Sequence, residues 1–188
     1  MGKLFAVSIL IYGTLPAAAP ARFELRDTDG TLHTADQWRA KRAVVLFFTM
    51  TDCPLANGYV PEMNRLRAGY EPQGVAFYAV QSDNTASDAA VRKYALDFGY
   101  TFPMLNDPRL TLARLAGAKV TPEVAVLSSR GEVLYLGRID NKVEDLTKPR
   151  YAATEPELRN ALDAVLAGKA PKEARTRAVG CSINLESR

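Results

Sequence analysis

The chain has 188 residues, 47% of them hydrophobic and 24% charged, with a formal net charge of +3. That composition excludes a disordered or collagen-like chain, and the presence of one long apolar run excludes a multi-span membrane protein. A single domain of this length buries a core without metal or disulfide staples, so the two cysteines, Cys53 and Cys181, are expected to serve chemistry rather than scaffolding.

Lys3 precedes the apolar stretch Leu4 to Tyr12, and Gly13, Pro16 and the small residues Ala17, Ala18, Ala19 and Ala21 follow it. This order predicts a secretory signal peptide over residues 1–21, with a mature chain starting at Arg22. Its core of about a dozen apolar residues is short of the roughly 20 that a membrane-spanning helix needs. An uncleaved amino-terminal anchor is the alternative, and the only membrane contact expected. Either reading puts the domain in the periplasm or outside the cell, where two cysteines are free to form a disulfide.

Residues 22–168 are expected to form the domain. Phe23 to Leu25 alternates as a strand, Asp27 to Gly30 is a turn, and Thr31 to Thr34 returns as the second strand of a hairpin. His33, the single histidine, is expected to be an exposed polar side chain on that strand. A short helical turn begins at Asp36 to Trp38. Ala43 to Phe48 is a continuous run of apolar residues, the pattern of a central strand buried on both faces. It leads through Thr49-Met50-Thr51-Asp52-Cys53-Pro54 into a helix whose Tyr59, Met63, Leu66 and Tyr70 recur at helical spacing around an interior Pro61. Val75 to Val80 reads as a second buried strand. A crossover helix then presents Ala90, Val91, Tyr94, Ala95 and Phe98 on one face as far as Gly99.

Thr101 to Leu105 is extended, Leu110 to Leu115 a short helix, and Val124 to Leu127 and Val133 to Arg138 a hairpin turning at Arg130-Gly131. Thr154 and Glu157 have the spacing of a capping box for a last helix that presents Leu158, Leu162, Val165 and Leu166 and stops at Gly168. The order βαβ followed by αββα predicts an α/β fold. Residues 169–188 form a basic tail carrying Cys181, in which Lys169, Lys172, Arg175, Arg177 and Arg188 outnumber Glu173 and Glu186. It contains no aromatic residue, so nucleic-acid binding is not expected.

Cys53 falls where a buried strand meets a helix amino terminus. Unpaired N–H groups and the helix dipole there favour a thiolate, so Cys53 is expected to be the more acidic, nucleophilic thiol rather than an inert buried one. The carboxyl edge of a parallel strand pair is also where α/β sheets build sites. One histidine cannot furnish a triad or a zinc site, and Glu62, Asp107 and Asp140 show no carboxylate-pair or metal spacing. Asp83 and Asn84 read as a solvated turn. No phosphate loop or dinucleotide glycine motif occurs, and no cofactor or resident metal is expected.

The strand entering Thr51-Asp52-Cys53-Pro54, the helix proline Pro61 eight residues past the cysteine, and Val120-Thr121-Pro122 ahead of a hairpin strand together resemble the thioredoxin-like superfamily. More narrowly they resemble its redoxin branch, of the alkyl hydroperoxide reductase and thiol-specific antioxidant (AhpC/TSA) type. The resemblance covers residues 22–168. It implies a thioredoxin-like fold with a central mixed sheet flanked by helices, an added amino-terminal hairpin and a carboxyl-terminal tail. It also implies a thiol-dependent oxidoreductase in which Cys53 is the nucleophile and a cis Thr121–Pro122 peptide lies against its sulfur.

Two departures matter. Ala56 stands where the family's Cys-x-x-Cys carries its second thiol, so any resolving thiol comes from elsewhere. Leu46 and Met50 stand where the peroxidatic pattern has its proline and threonine, with Thr49 and Thr51 out of register. The Val179-Gly180-Cys181 segment is similar to one near the carboxyl end of related redoxin-like proteins, which implies a returning tail with Cys181 as disulfide or resolving partner of Cys53. An unpaired or intermolecular tail cysteine is the alternative. The expected function is an exported thiol-disulfide oxidoreductase or thiol-dependent antioxidant. Its partners are a thiol or disulfide protein, as electron donor or substrate, or a peroxide. The competing reading is a non-catalytic redoxin-like binding module with a structural Cys53–Cys181 disulfide or a copper(I) site on soft thiolates.

Overall fold

A computed structural model describes residues 22–145, 147 and 150–186. The expected signal peptide, residues 1–21, lies outside the described residues, and no described helix is long and apolar enough to cross a membrane. The strands are β1 (Glu24–Arg26), β2 (Leu32–Thr34), β3 (Ala43–Thr49), β4 (Val75–Gln81), β5 (Met104–Asn106), β6 (Val120–Thr121), β7 (Glu123–Leu127), β8 (Val133–Gly137) and β9 (Cys181–Ser182). The α-helices are α1 (Pro54–Tyr70), α2 (Asp88–Asp97), α3 (Thr111–Ala116) and α4 (Glu157–Leu166). The central sheet runs β5-β4-β3-β7-β8, with β3, β4 and β5 parallel and β7 and β8 antiparallel.

β3 is buried along its whole length because both faces of the sheet are covered. Val45 and Phe47 pack with Ala56, Met63 and Leu66 of α1 and Leu158 and Leu162 of α4. Val44, Leu46 and Phe48 point the other way, against Trp38 and Leu112, Ala113 and Ala116 of the α3 layer. A strand sandwiched in this way needs apolar residues at every position rather than at alternate ones. It therefore ends at a fixed height, with the Met50–Cys53 loop at the carboxyl edge of the sheet.

Three local expectations are corrected. His33 is buried, not exposed, because the β1–β2 hairpin lies against the sheet. Its Nε2 is 2.8 Å from Asp27 Oδ2, and its ring stands edge-on to Tyr78 at 5.4 Å. Burial alone would raise the Asp27 carboxyl, but hydrogen bonds from His33 and from the Thr31 and Asp29 amides hold it below the ordinary carboxylate value. Thr154 and Glu157 form no capping box, since α4 starts after Pro156 and both side chains are engaged elsewhere. The Thr154 hydroxyl accepts from Asn141 Nδ2 at 2.9 Å, and Glu157 pairs with Arg138 at 2.6 Å. On α2, Val91 and Tyr94 are buried but Phe98 is 41% exposed, because the helix touches the sheet along a narrow strip.

The tail folds back onto the domain. Leu136 N–H donates to Ala174 O at 3.0 Å and Thr176 N–H to Leu136 O at 3.2 Å, which lays residues 174–176 along β8. The Thr176 hydroxyl accepts from Arg138 N–H at 3.0 Å and lies 2.7 Å from the Tyr135 hydroxyl. Farther on, β9 pairs antiparallel with β6, Cys181 opposite Thr121 and Ser182 opposite Val120, and Ile183 is buried. This path depends on glycine. A Cβ on Gly137 would stand 2.1 Å from Thr176 Oγ1, and one on Gly180 would stand 1.9 Å from Thr121 O.

Gly137→Ala is expected to push residues 174–176 off β8 at a cost of about 1–3 kcal/mol, the usual penalty of overpacking. Hydrogen exchange at the Leu136 and Thr176 amides should accelerate in the variant. Protection equal to that of the unsubstituted protein would show that the tail does not need this gap.

Candidate active site

Cys53 caps the amino terminus of α1. Its N–H donates to Met50 O at 3.2 Å, closing the loop after β3, and its carbonyl accepts the first helical bond from Asn57 N–H at 3.1 Å. Pro54, at the first helical position, has no N–H to leave unsatisfied and a φ already suited to the helix. The Cys53 side chain is fully buried, and its thiol donates to Thr121 O at 3.1 Å. The Thr121–Pro122 bond is cis. Cys181, delivered by β9, donates to the Cys53 sulfur at a separation of 2.7 Å. The four residues singled out in the sequence, Cys53, Thr121, Pro122 and Cys181, thus stand together although the two cysteines are 128 residues apart.

The Cys181 thiol is pushed up to about 11, first by burial and then by the hydrogen bond and charge of Cys53 and the charge of Asp52. At neutral pH it is a proton-bearing thiol in contact with the Cys53 sulfur. Ala56, at the position of the missing local thiol, is buried in the core beside Cys53. Behind Thr121, the Glu123 carboxylate accepts from Lys119 N–H at 2.8 Å, and burial raises it above the usual carboxylate value.

A hydroxyl cluster adjoins the Met50–Cys53 loop. Thr49 Oγ1, at the end of β3, lies 2.9 Å from the Tyr94 hydroxyl and accepts from the Tyr100 hydroxyl at 3.2 Å. Tyr94 donates to Asn57 Oδ1 at 2.7 Å. Burial raises both phenols, and the charge of Cys53 adds to the effect on each. Sequence reasoning placed Tyr94 only on an apolar helix face and passed over Tyr100 and Asn57. The one available signal was a polar threonine ending an otherwise apolar strand.

A cleft of about 550 Å³ runs along α1 from Pro54 and Leu55, past Tyr59, to Ile139, Val143 and Pro156. Leu55, Tyr59, Ile139 and Val143 also line a crevice that reaches Pro122 and Val179 beside the cysteine pair. Among the described residues no three His, Cys, Asp or Glu side chains are placed to hold a metal ion.

The family model of AhpC/TSA matches residues 16–136, a span that contains Cys53, Thr121 and Pro122. The chain belongs to the AhpC/TSA family. This AhpC/TSA protein is 27% identical to the thiol-disulfide oxidoreductase ResA of Halalkalibacterium halodurans over 133 residues, covering 68% of this chain and 74% of that protein. It is 32% identical to ResA of Geobacillus thermodenitrificans over 111 residues, 59% of this chain and 62% of that one. Its fold is similar to that of a hypothetical protein from Sinorhizobium meliloti 1021, with a TM-score of 0.76 and 26% identity over 91% of this chain and 95% of that one. The AhpC/TSA chain is an oxidoreductase, as its curated relatives are.

Cys181 makes the reduced protein sensitive to alkali. Its folded value is about 11 against an ordinary 9.0, so between those limits the folded state holds a proton that the unfolded state has lost. Stability of the reduced protein should therefore fall as pH rises from about 9.0 to about 11, with no loss from this group below that window. Thermal midpoints of the reduced protein and of Cys181→Ser, which lacks the group, should diverge across that range. Parallel curves would remove the assignment.

Proposed function

We propose that the protein is an exported thiol-disulfide oxidoreductase in which Cys53 is the nucleophile and Cys181 the resolving thiol. The observation that carries this reading is the β6–β9 ladder, which sets the two sulfurs 2.7 Å apart with one of them at the amino terminus of α1. The Cys53 thiolate attacks one sulfur of a substrate disulfide. That bond breaks, a mixed disulfide forms on Cys53, and the departing thiolate takes up a proton. Cys181 then loses its proton and attacks the Cys53 sulfur, releasing the second substrate thiol. Two electrons have moved to the substrate, and the Cys53–Cys181 disulfide remains to be reduced by an external thiol protein. Run in reverse, the same steps oxidise a dithiol.

Thiol-disulfide exchange is favoured over peroxide reduction by what surrounds the sulfur. Thr49 and Thr51 flank the position of the peroxidatic threonine, and the Thr49 hydroxyl is tied to Tyr94 and Tyr100. Met50 fills the pattern position, so no hydroxyl stands where the peroxidatic threonine would. The names of the curated relatives support the same choice. Export rests on the leader pattern of residues 1–21 and on a cysteine pair suited to an oxidising compartment. The wider cleft along α1, which shares Leu55, Tyr59, Ile139 and Val143 with the narrow crevice at Pro122 and Val179, is where a partner polypeptide would lie.

Cys53→Ser should abolish reduction of a model disulfide, while Cys181→Ser should stop after the first step and accumulate a mixed disulfide detectable by mass. Glutathione disulfide should oxidise the reduced protein with consumption of both thiols. Exchange that survives Cys53→Ser, or hydrogen peroxide outpacing the disulfide at equal concentration, would overturn the reading. Both thiols inert to either oxidant would leave the binding-module alternative.

Closing a bond across 128 residues should also make the oxidised protein more stable than the reduced one. The chain-entropy model puts the gain on the order of 5 kcal/mol. Urea midpoints of the two forms measure it, and coincident midpoints would exclude an intramolecular bond.

A further inference from the structure

Tyr94 grips both ends of the loop that carries the nucleophile. The loop Met50–Cys53 joins the last residue of β3, Thr49, to the start of α1. The Tyr94 hydroxyl, reaching in from α2, lies 2.9 Å from Thr49 Oγ1 and donates at 2.7 Å to Oδ1 of Asn57, in the first turn of α1. Asn57 in turn sends its N–H to the Cys53 carbonyl at 3.1 Å. Tyr100 closes the cluster, 3.1 Å from the Tyr94 hydroxyl and donating to Thr49 at 3.2 Å. Thr49 is fully buried and Tyr94 nearly so, and in such a setting hydroxyl hydrogen bonds are directional and costly to break.

Packing alone does not call for this arrangement. Tyr94 sits among Phe98, Tyr100 and the Phe47–Met63 core, where a phenylalanine ring would pack as well without a polar atom to satisfy. We propose that Tyr94, acting through Thr49 and Asn57, is a positioning residue that fixes the Met50–Cys53 loop so that the Cys53 sulfur faces Cys181. The inference rests on the exchange reading above, in which those two sulfurs form the working couple. Bond formation between them depends on how much of the time they face one another, and small misplacements of reacting groups are costly. Loss of the hydroxyl lets the loop drift, lowers the local concentration of one thiol at the other, and makes the disulfide easier to reduce.

The test is the thiol-disulfide equilibrium of the full chain in glutathione buffers, where two glutathione thiols become glutathione disulfide as the protein disulfide becomes a dithiol. Tyr94→Phe is expected to shift the balance about tenfold toward the dithiol, about 30 mV for this two-electron couple. Asn57→Ala and Thr49→Val should shift it in the same direction, and Thr49→Ser, which keeps the hydroxyl, should restore the unsubstituted value. Phe98→Leu, which trims packing against Tyr94 and leaves the hydroxyls alone, should not move it. An unchanged balance in Tyr94→Phe overturns the proposal while leaving the exchange reading intact, as does an equal shift in Thr49→Ser and Thr49→Val. Should Tyr94→Phe fail to fold, Asn57→Ala decides by the same criterion. Absence of any Cys53–Cys181 disulfide in the unsubstituted protein overturns the exchange reading and this proposal together.

Discussion

The pairing of β9 with β6 is a two-residue ladder, yet without it Cys53 would be a lone buried thiol facing a carbonyl oxygen. A ladder this short has little stability of its own. It is maintained by what lies on either side: residues 174–176 aligned on β8, and Ile183 buried with its N–H on Lys119 O at 2.9 Å. The β8 contact and the ladder itself need the backbones to approach more closely than a Cβ would permit, which places glycine at positions 137 and 180. The chemistry of the site therefore rests on the shape of the backbone as much as on the identity of the thiols.

The carboxyl edge of the sheet supplies the other half of the geometry. β3 is buried on both faces, so the height at which it ends is set by the two core clusters, and Cys53 inherits that height through a short loop. Thr121 is brought over the same spot by β6 and the cis peptide. The sulfurs that meet there differ in their surroundings: one caps a helix, while burial and its neighbours keep the proton on the other. In the proposed exchange, an unequal pair of this kind would give the two steps distinct attacking groups.

What could be read from the sequence was what is local. The all-apolar stretch 43–48, the helical spacing of Tyr59, Met63 and Leu66, and the placing of Cys53 at a strand-helix junction each depend on neighbours within about one turn or one strand, where residue patterns are informative. His33 is buried by the docking of its hairpin against Tyr78 of the sheet, and Thr154 is engaged by Asn141 in the connection before α4, neither of which residue spacing announces. The Thr49–Tyr94–Tyr100 cluster joins β3, α2 and the connection after α2, whose side chains carry no shared spacing. The tail was the hardest part. Val179, Ile183 and Leu185 are too few to announce a docking segment, and the decisive feature at Gly137 and Gly180 is the absence of side-chain atoms.

The two attachment points of the tail are separate, and this has a mechanical result. Thr176 stays tied to β8 through contacts that involve neither cysteine. When the ladder at Cys181 opens, five peptide steps beyond Thr176 form a leash of about 17 Å, at roughly 3.4 Å per residue. The freed thiol swings within that radius and no farther. In the proposed exchange, a bulky partner entering over Cys53 would meet a tethered competitor able to return when the partner departs.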